Sequence, residues 1–287
     1  MHVKGAILAV VLADMVTLIY LWLRIGKSDI TSSTLEDVNE KEFSIYKFWK
    51  YGKWNYLLMF ANFFIEELPL ILLKKIAIGP SVGVQNASLG FFSKARGLGR
   101  QSRIVALPVA QILFPYTAAS KEHLAIKRTN TLSRNYLLIM IPIALVMVLC
   151  IKPVIYFFYG QSFMPAVKIF YALAPGMCLW PYGHFLGVHV AASGKPKIVF
   201  LSSCVILAAA IVICWALIPA YGAFGAGLSV SAIYIVQAIV RVLVYRKVTG
   251  AGFREILFIH KEDLKYYDKL LSFLKSKIQN QTGKTDE

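Results

Sequence analysis

The sequence predicts an all-α fold, a polytopic membrane helix bundle of about seven transmembrane helices, on three observations. Of 287 residues 57% are hydrophobic and only 16% charged, an apolar share above that of ordinary soluble domains and opposite to that of disordered chains. The apolar residues gather into runs near or above the roughly 20 residues that cross about 30 Å of hydrocarbon. Lysine and arginine alternate between rich and poor connections, as the loops of a membrane protein do.

The runs fall at residues 5–23, 54–73, 84–116, 136–158, 163–191, 198–218 and 224–245. The first, with no small-residue cleavage site before Arg24, reads as an uncleaved span rather than a signal peptide. The polar stretch that follows, residues 25–53, is too long for a tight helical hairpin and reads as a cytoplasmic linker between lobes. Residues 54–247 then hold six spans, which form one lobe. Pro69, Pro108, Pro142, Pro175, Pro181, Gly97 and Gly99 interrupt them, breaks that a bilayer tolerates where neighbouring helices or water satisfy the freed backbone groups. Tyr221, Gly222, Gly225 and Gly227 mark a tight turn between the last two spans. In the tail, residues 248–287, Leu264, Tyr267, Leu270, Leu271 and Leu274 recur at helical spacing among lysines, the pattern of an amphipathic helix on a membrane surface.

The formal charge of +16 does not collect in one basic domain, which argues against nucleic acid as a partner. It sits in alternate connections, around Lys41–Lys53, Lys121–Arg134, Lys195–Lys197 and Arg246–Arg254, while the segments between hold Lys74 and Lys75, Lys152, or nothing. The rich set belongs to the cytoplasm, placing the amino terminus outside and the carboxyl terminus inside. Cys150, Cys178, Cys204 and Cys214 lie in apolar runs without metal-ligand spacing and read as small hydrophobes.

Charged residues inside the spans are the candidate site. Arg96, Arg100 and Arg103 lie on one helical face, Arg100 about 40° and Arg103 about 20° to either side of Arg96, a stripe about 10 Å long. Each arginine at the bilayer centre costs about 2.5–3.5 kcal/mol, against about 0.3–0.6 returned by a leucine, so the stripe must face a wet cavity or buried partners. Guanidinium groups bind phosphate oxygens bidentately without losing charge, which suits a pyrophosphate ligand. Glu66 and Glu67 sit inside the second span as either a cation- or proton-coupling site or structural partners of a nearby cation. Their side chains point about 100° apart, and rise arithmetic sets them outward of the arginines, so direct pairing is not required. Asp14, mid-span in residues 5–23, is a third cavity acid or the partner of a missing helix. Asn62, Gln111 and Gln237 suit interhelical hydrogen bonds, His184 and His189 neutral buried rings, and Arg241 a snorkelling position. No HExxH, paired-aspartate or GxSxG pattern occurs, so neither a catalytic residue, a metal nor a cofactor is expected, and the chain reads as no enzyme.

Three stretches carry a family resemblance: QILFPYTAAS at 111–120, LAPGMCLWPYGHFLGVHVAASGKPK at 173–197 and LIPAYGAFGAGLSVSAIYIVQ at 217–237. In this order they resemble the carboxyl-terminal half of polysaccharide flippases of the multidrug/oligosaccharidyl-lipid/polysaccharide exporter superfamily. The resemblance implies two six-helix lobes around a cavity, of which this chain matches one lobe plus the last helix of the other (residues 1–24), as a truncated member would. It further implies movement of a lipid-pyrophosphate-linked oligosaccharide to the outer leaflet of the inner (plasma) membrane. The expected partners are membrane lipids, that lipid-linked oligosaccharide, a polysaccharide polymerase and glycosyltransferases. The competing readings are a multidrug or cation antiporter of the same superfamily, a membrane-embedded acyl- or glycosyltransferase using His184, and a nonfunctional fragment.

Overall fold

The computed structural model describes residues 12–20, 23, 45–76 and 82–258. The linker up to residue 44 and the tail from 259 onward, including the expected surface helix, lie outside the described residues. The chain forms two compact units, Met1–Trp49 and Lys50–Glu287. In the first, residues 12–20 are helical with exposed side chains.

Among the described residues all regular structure is helical: α1 (Ile45–Ile76), α2 (Val82–Arg100), α3 (Arg103–Ala119), α4 (Glu122–Tyr159), a 3-10 turn (Gln161–Phe163), α5 (Pro165–Ala192), α6 (Pro196–Thr249) and α7 (Phe253–Leu257). Three of them hold stretches long and apolar enough to cross a membrane, Tyr51–Lys75, Glu122–Tyr159 and Pro196–Thr249. Large apolar side chains stand exposed along these helices, among them Met59, Phe63, Leu149, Phe157, Val212 and Trp215. A surface of that kind is stable only against lipid. The chain is an all-α membrane protein.

The 84–116 run is not one helix. Gln101 and Ser102 donate to the carbonyls of Leu98 and Gly99 at 3.2 Å each, three residues back rather than four, and α3 starts anew at Arg103. Gly97 and Gly99 lower helix propensity on one side, and Pro108 removes the N–H that would reach Ile104 on the other. The phenol of Tyr136 on α4 donates to the Ser102 carbonyl at 2.9 Å. A Cβ at Gly99 would meet the Sδ and Cε of Met177, so the glycine leaves room for the flexible end of that α5 side chain against this break.

α5 is the hub, packed against α2, α3, α4 and α6. Most of its side chains are buried, Trp180, Tyr182 and His189 among them, because it faces protein on most sides. α5 and α6 approach closely at Gly176 and Ser231. A Cβ there would overlap Ser231, whose hydroxyl donates to the Ala172 carbonyl at 2.6 Å and accepts from the Gly176 N–H at 3.0 Å. Small residues at an interhelical contact are the usual means of bringing backbones together in a membrane.

The expected turn after residue 218 narrows to one residue. Gly222 alone is non-helical, at φ 56° and ψ −131°, and it divides α6 into two spans. Gly225 and Gly227 are helical, and Gly227 is there for packing: a Cβ would meet the Ile169 carbonyl at 3.0 Å. Two ends of the bundle are distinct. At one, Tyr51 donates to the Ala191 carbonyl at 2.9 Å and Tyr182 to that of Ile256 at 3.0 Å. At the other, Lys94 lies 5.1 Å from the Tyr159 ring centre and Phe91 packs on Phe163.

Candidate functional site

The break between α2 and α3 places three arginines against two consecutive carboxylates of α1. Arg96 forks onto Glu67, Nη1 to Oε2 at 3.1 Å and Nη2 to Oε1 at 3.0 Å, and also donates to the Glu66 carbonyl at 2.5 Å. Arg100 donates to Glu67 Oε1 at 2.9 Å and to Glu66 Oε2 at 3.4 Å. Arg103, past the break, donates to Glu66 Oε1 at 2.6 Å and to the Tyr234 phenol. Its guanidinium centre also lies 4.0 Å from the centre of the Trp180 ring. The acids are therefore level with the arginines, against the vertical offset expected from rise arithmetic. Both glutamates serve the same cluster although their Cβ atoms diverge, because a carboxylate on a three-bond stem swings through most of the 100° between them.

The cluster carries three positive charges and two negative ones. Arg96 is nearly buried, with 6% of its side chain exposed, and its planar fork is filled by Glu67. Arg100 keeps 40% of its side chain exposed, and its Nε has no hydrogen-bond partner. Arg103 is 13% exposed and tied on two sides. The uncompensated positive charge is thus presented mainly through Arg100, while Arg96 and Arg103 brace the carboxylates.

Next to the cluster lies a cavity of about 410 Å³ whose polar wall includes Asn55, Asn62, Glu66, Arg103, Gln237 and Arg241. His184, stacked on Trp180 at 4.7 Å, also lines it. His189 does not: its Nδ1 lies 2.8 Å from the Thr129 hydroxyl in a buried contact between α5 and α4. Arg241 does not snorkel. It is 4% exposed, held by the Val199 carbonyl and the hydroxyls of Ser202 and Ser203. Asn62 accepts from Ser203 at 3.3 Å, joining α1 to α6, whereas Gln111 is exposed. Asp14 belongs to the unit Met1–Trp49 and is exposed on its helix. Cys150 is exposed on α4, and only Cys214 of the four cysteines is buried. Among the described residues no group of histidines, cysteines and acids could hold a metal ion.

Sequence reasoning misses Trp180 and Tyr234, and assigns Arg241 to a snorkelling position rather than to the cavity wall. A signal existed: Tyr234, Gln237 and Arg241 are spaced three and four apart, which sets them on one face of an apolar helix.

No curated protein and no solved structure matches the chain. A family model described as polysaccharide biosynthesis protein matches residues 7–168. The matched part includes all five charges of the cluster and ends as α5 begins, before Trp180, Tyr234 and Arg241. Since it covers more than half of the 287 residues, the chain belongs to the polysaccharide biosynthesis protein family.

Proposed function

We propose that the chain takes part in moving a lipid-pyrophosphate-linked oligosaccharide from the inner to the outer leaflet of the plasma membrane, with its amino terminus outside and its carboxyl terminus cytoplasmic. The observation that carries this reading is a net-positive arginine–glutamate cluster beside a polar cavity, inside a membrane-spanning bundle of a polysaccharide biosynthesis family. In this reading Arg100 and Arg103 meet the diphosphate and Arg96 fixes Glu67. A polar headgroup crosses hydrocarbon only where fixed dipoles and charges replace its water, and a cluster with one surplus cation attracts a diphosphate without holding it permanently. A drug or cation cargo is disfavoured by the sign of that charge.

The test is translocation in vesicles. The purified chain is placed in liposomes with a fluorescent lipid-pyrophosphate oligosaccharide, and the fraction shielded from an impermeant reductant is followed. Shielded probe should be lost faster than in empty vesicles. Arg100→Ala should slow that loss about tenfold or more, the worth of a charge-assisted contact. Lys94→Ala should leave it unchanged, since that ammonium lies against Tyr159. Vesicles no faster than empty ones would defeat the proposal.

A further inference from the structure

Arg241 is a buried guanidinium for which no carboxylate partner is found among the described residues. Its Nη1 donates to the Val199 carbonyl at 3.0 Å and to Ser202 at 2.6 Å, and its Nη2 to Ser203 at 2.6 Å. All three acceptors are neutral. Its Nε is buried without a hydrogen-bond partner. An ion withdrawn from water and given only dipoles carries a desolvation cost of several kcal/mol that a counter-charge would offset. Glu66, the acid on the same cavity wall, already accepts from Arg100 and Arg103.

Gly187 is the second part of the observation. It lines the cavity next to Arg241, and a Cβ built on it would stand 3.3 Å from the Arg241 Nε and 3.5 Å from its Cδ and Cζ. Two of the five guanidinium donors, the Nε–H and one on Nη2, have no acceptor, and Gly187 places no side chain beside the buried Nε. Amides of Asn55, Asn62 and Gln237 share the wall, supplying neutral donors and acceptors of the kind that read hydroxyl groups.

We propose that this cavity is a second anion subsite, with Arg241 as its cation, Gly187 as the side-chain-free backbone beside it and the three amides as its polar wall, which takes one oxyanion of the cargo. The oxyanion belongs either to the diphosphate of the carrier or to the carboxylate of an acidic sugar. The inference rests on the transport reading for its cargo, but its test reads binding alone.

The detergent-solubilised chain is titrated calorimetrically at fixed ionic strength with inorganic pyrophosphate and, separately, with glucuronate. Each titration is repeated in an Arg100→Ala chain so that binding at the arginine–glutamate cluster is accounted for. At least one anion should bind, and Arg241→Gln should weaken it about tenfold or more, the loss of one charge-assisted contact. Gly187→Ala should weaken it as well while keeping the guanidinium and its three bonds, which answers the objection that Arg241→Gln misfolds. Gly90→Ala, where a Cβ meets nothing within 4 Å, should bind as the wild type does. Pyrophosphate alone assigns the oxyanion to the carrier, and glucuronate alone to the sugar. Binding of neither anion, or binding unaffected by both Arg241→Gln and Gly187→Ala, overturns the subsite. If those variants lose binding while the vesicles show no translocation, the subsite stands and the transport reading falls; the reverse pattern leaves transport standing without it.

Discussion

Arg96 is the least exposed charge of the cluster, and its fork leaves no room for a substitute of another shape. Lysine would keep the charge but reach one Glu67 oxygen instead of two, and would lose the bond to the Glu66 carbonyl. Breaking a buried ion pair by removing one partner costs about 3–5 kcal/mol, and the 24% exposure of Glu67 puts this site at the low end. Arg96→Ala should therefore lower the melting temperature in detergent clearly, with Arg96→Lys intermediate. Pairing it with Glu67→Gln should not recover the loss, because Glu67 keeps Arg100 at 2.9 Å when Arg96 is gone and is not left unpaired. Melting curves that place Arg96→Ala level with the wild type would remove Arg96 from its bracing role. Glu66 differs from Glu67 in partner: it bonds Arg103 across the helix break, whereas among the described residues Glu67 bonds Arg96 and Arg100 of α2.

At the scale of the helices, three glycines separate three demands that the sequence writes with one letter. Gly222 sits at φ 56°, where an L side chain is strained by about 1–3 kcal/mol. Gly176 has an ordinary helical backbone, yet a methyl there would overlap Ser231. Gly90 meets neither constraint, and alanine in its place gains helix propensity of about 0.8–1.0 kcal/mol. Alanine substitution should then destabilise at 222, destabilise more at 176 by prising α5 from α6, and stabilise slightly at 90, as read by thermal unfolding. Equal shifts at all three would show that packing against α5 does not control the bundle. The sequence marked Gly97 and Gly99 as interruptions of the 84–116 run, and the break falls at 101–102, where Tyr136 reaches the Ser102 carbonyl from another helix. Local propensity marks where a helix is weak; a tertiary hydrogen bond decides where it ends.

For the whole molecule the two ends can be told apart by labelling. The end proposed to face the cytoplasm is reported at Lys195, exposed in the turn between α5 and α6. In a chain free of its four native cysteines, a cysteine at Lys195 should resist an impermeant external maleimide until the membrane is permeabilised. One at Ala220, exposed beside the Gly222 kink, should react at once. The basis is the excess of lysine and arginine in the connections at the Lys195 end. The opposite labelling would invert the membrane orientation and with it the direction of transport.

What the sequence by itself determined is the class of solvent and the presence of a charged interior. Runs of about 20 apolar residues and three arginines with two glutamates among them require a bilayer outside and partners inside, whatever the tertiary arrangement, because both follow from transfer energies of single residues. Which charges pair, which arginine keeps a spare donor and where the cavity opens were decided only by the tertiary structure. Helical periodicity gives the face of a side chain to within about 20° over one unbroken helix, but it carries nothing about the neighbour that face meets. Arg241 shows the difference plainly. Its distance along the helix permits snorkelling, and only the seating of α6 against itself, with Val199, Ser202 and Ser203 turned toward the guanidinium, keeps it inside.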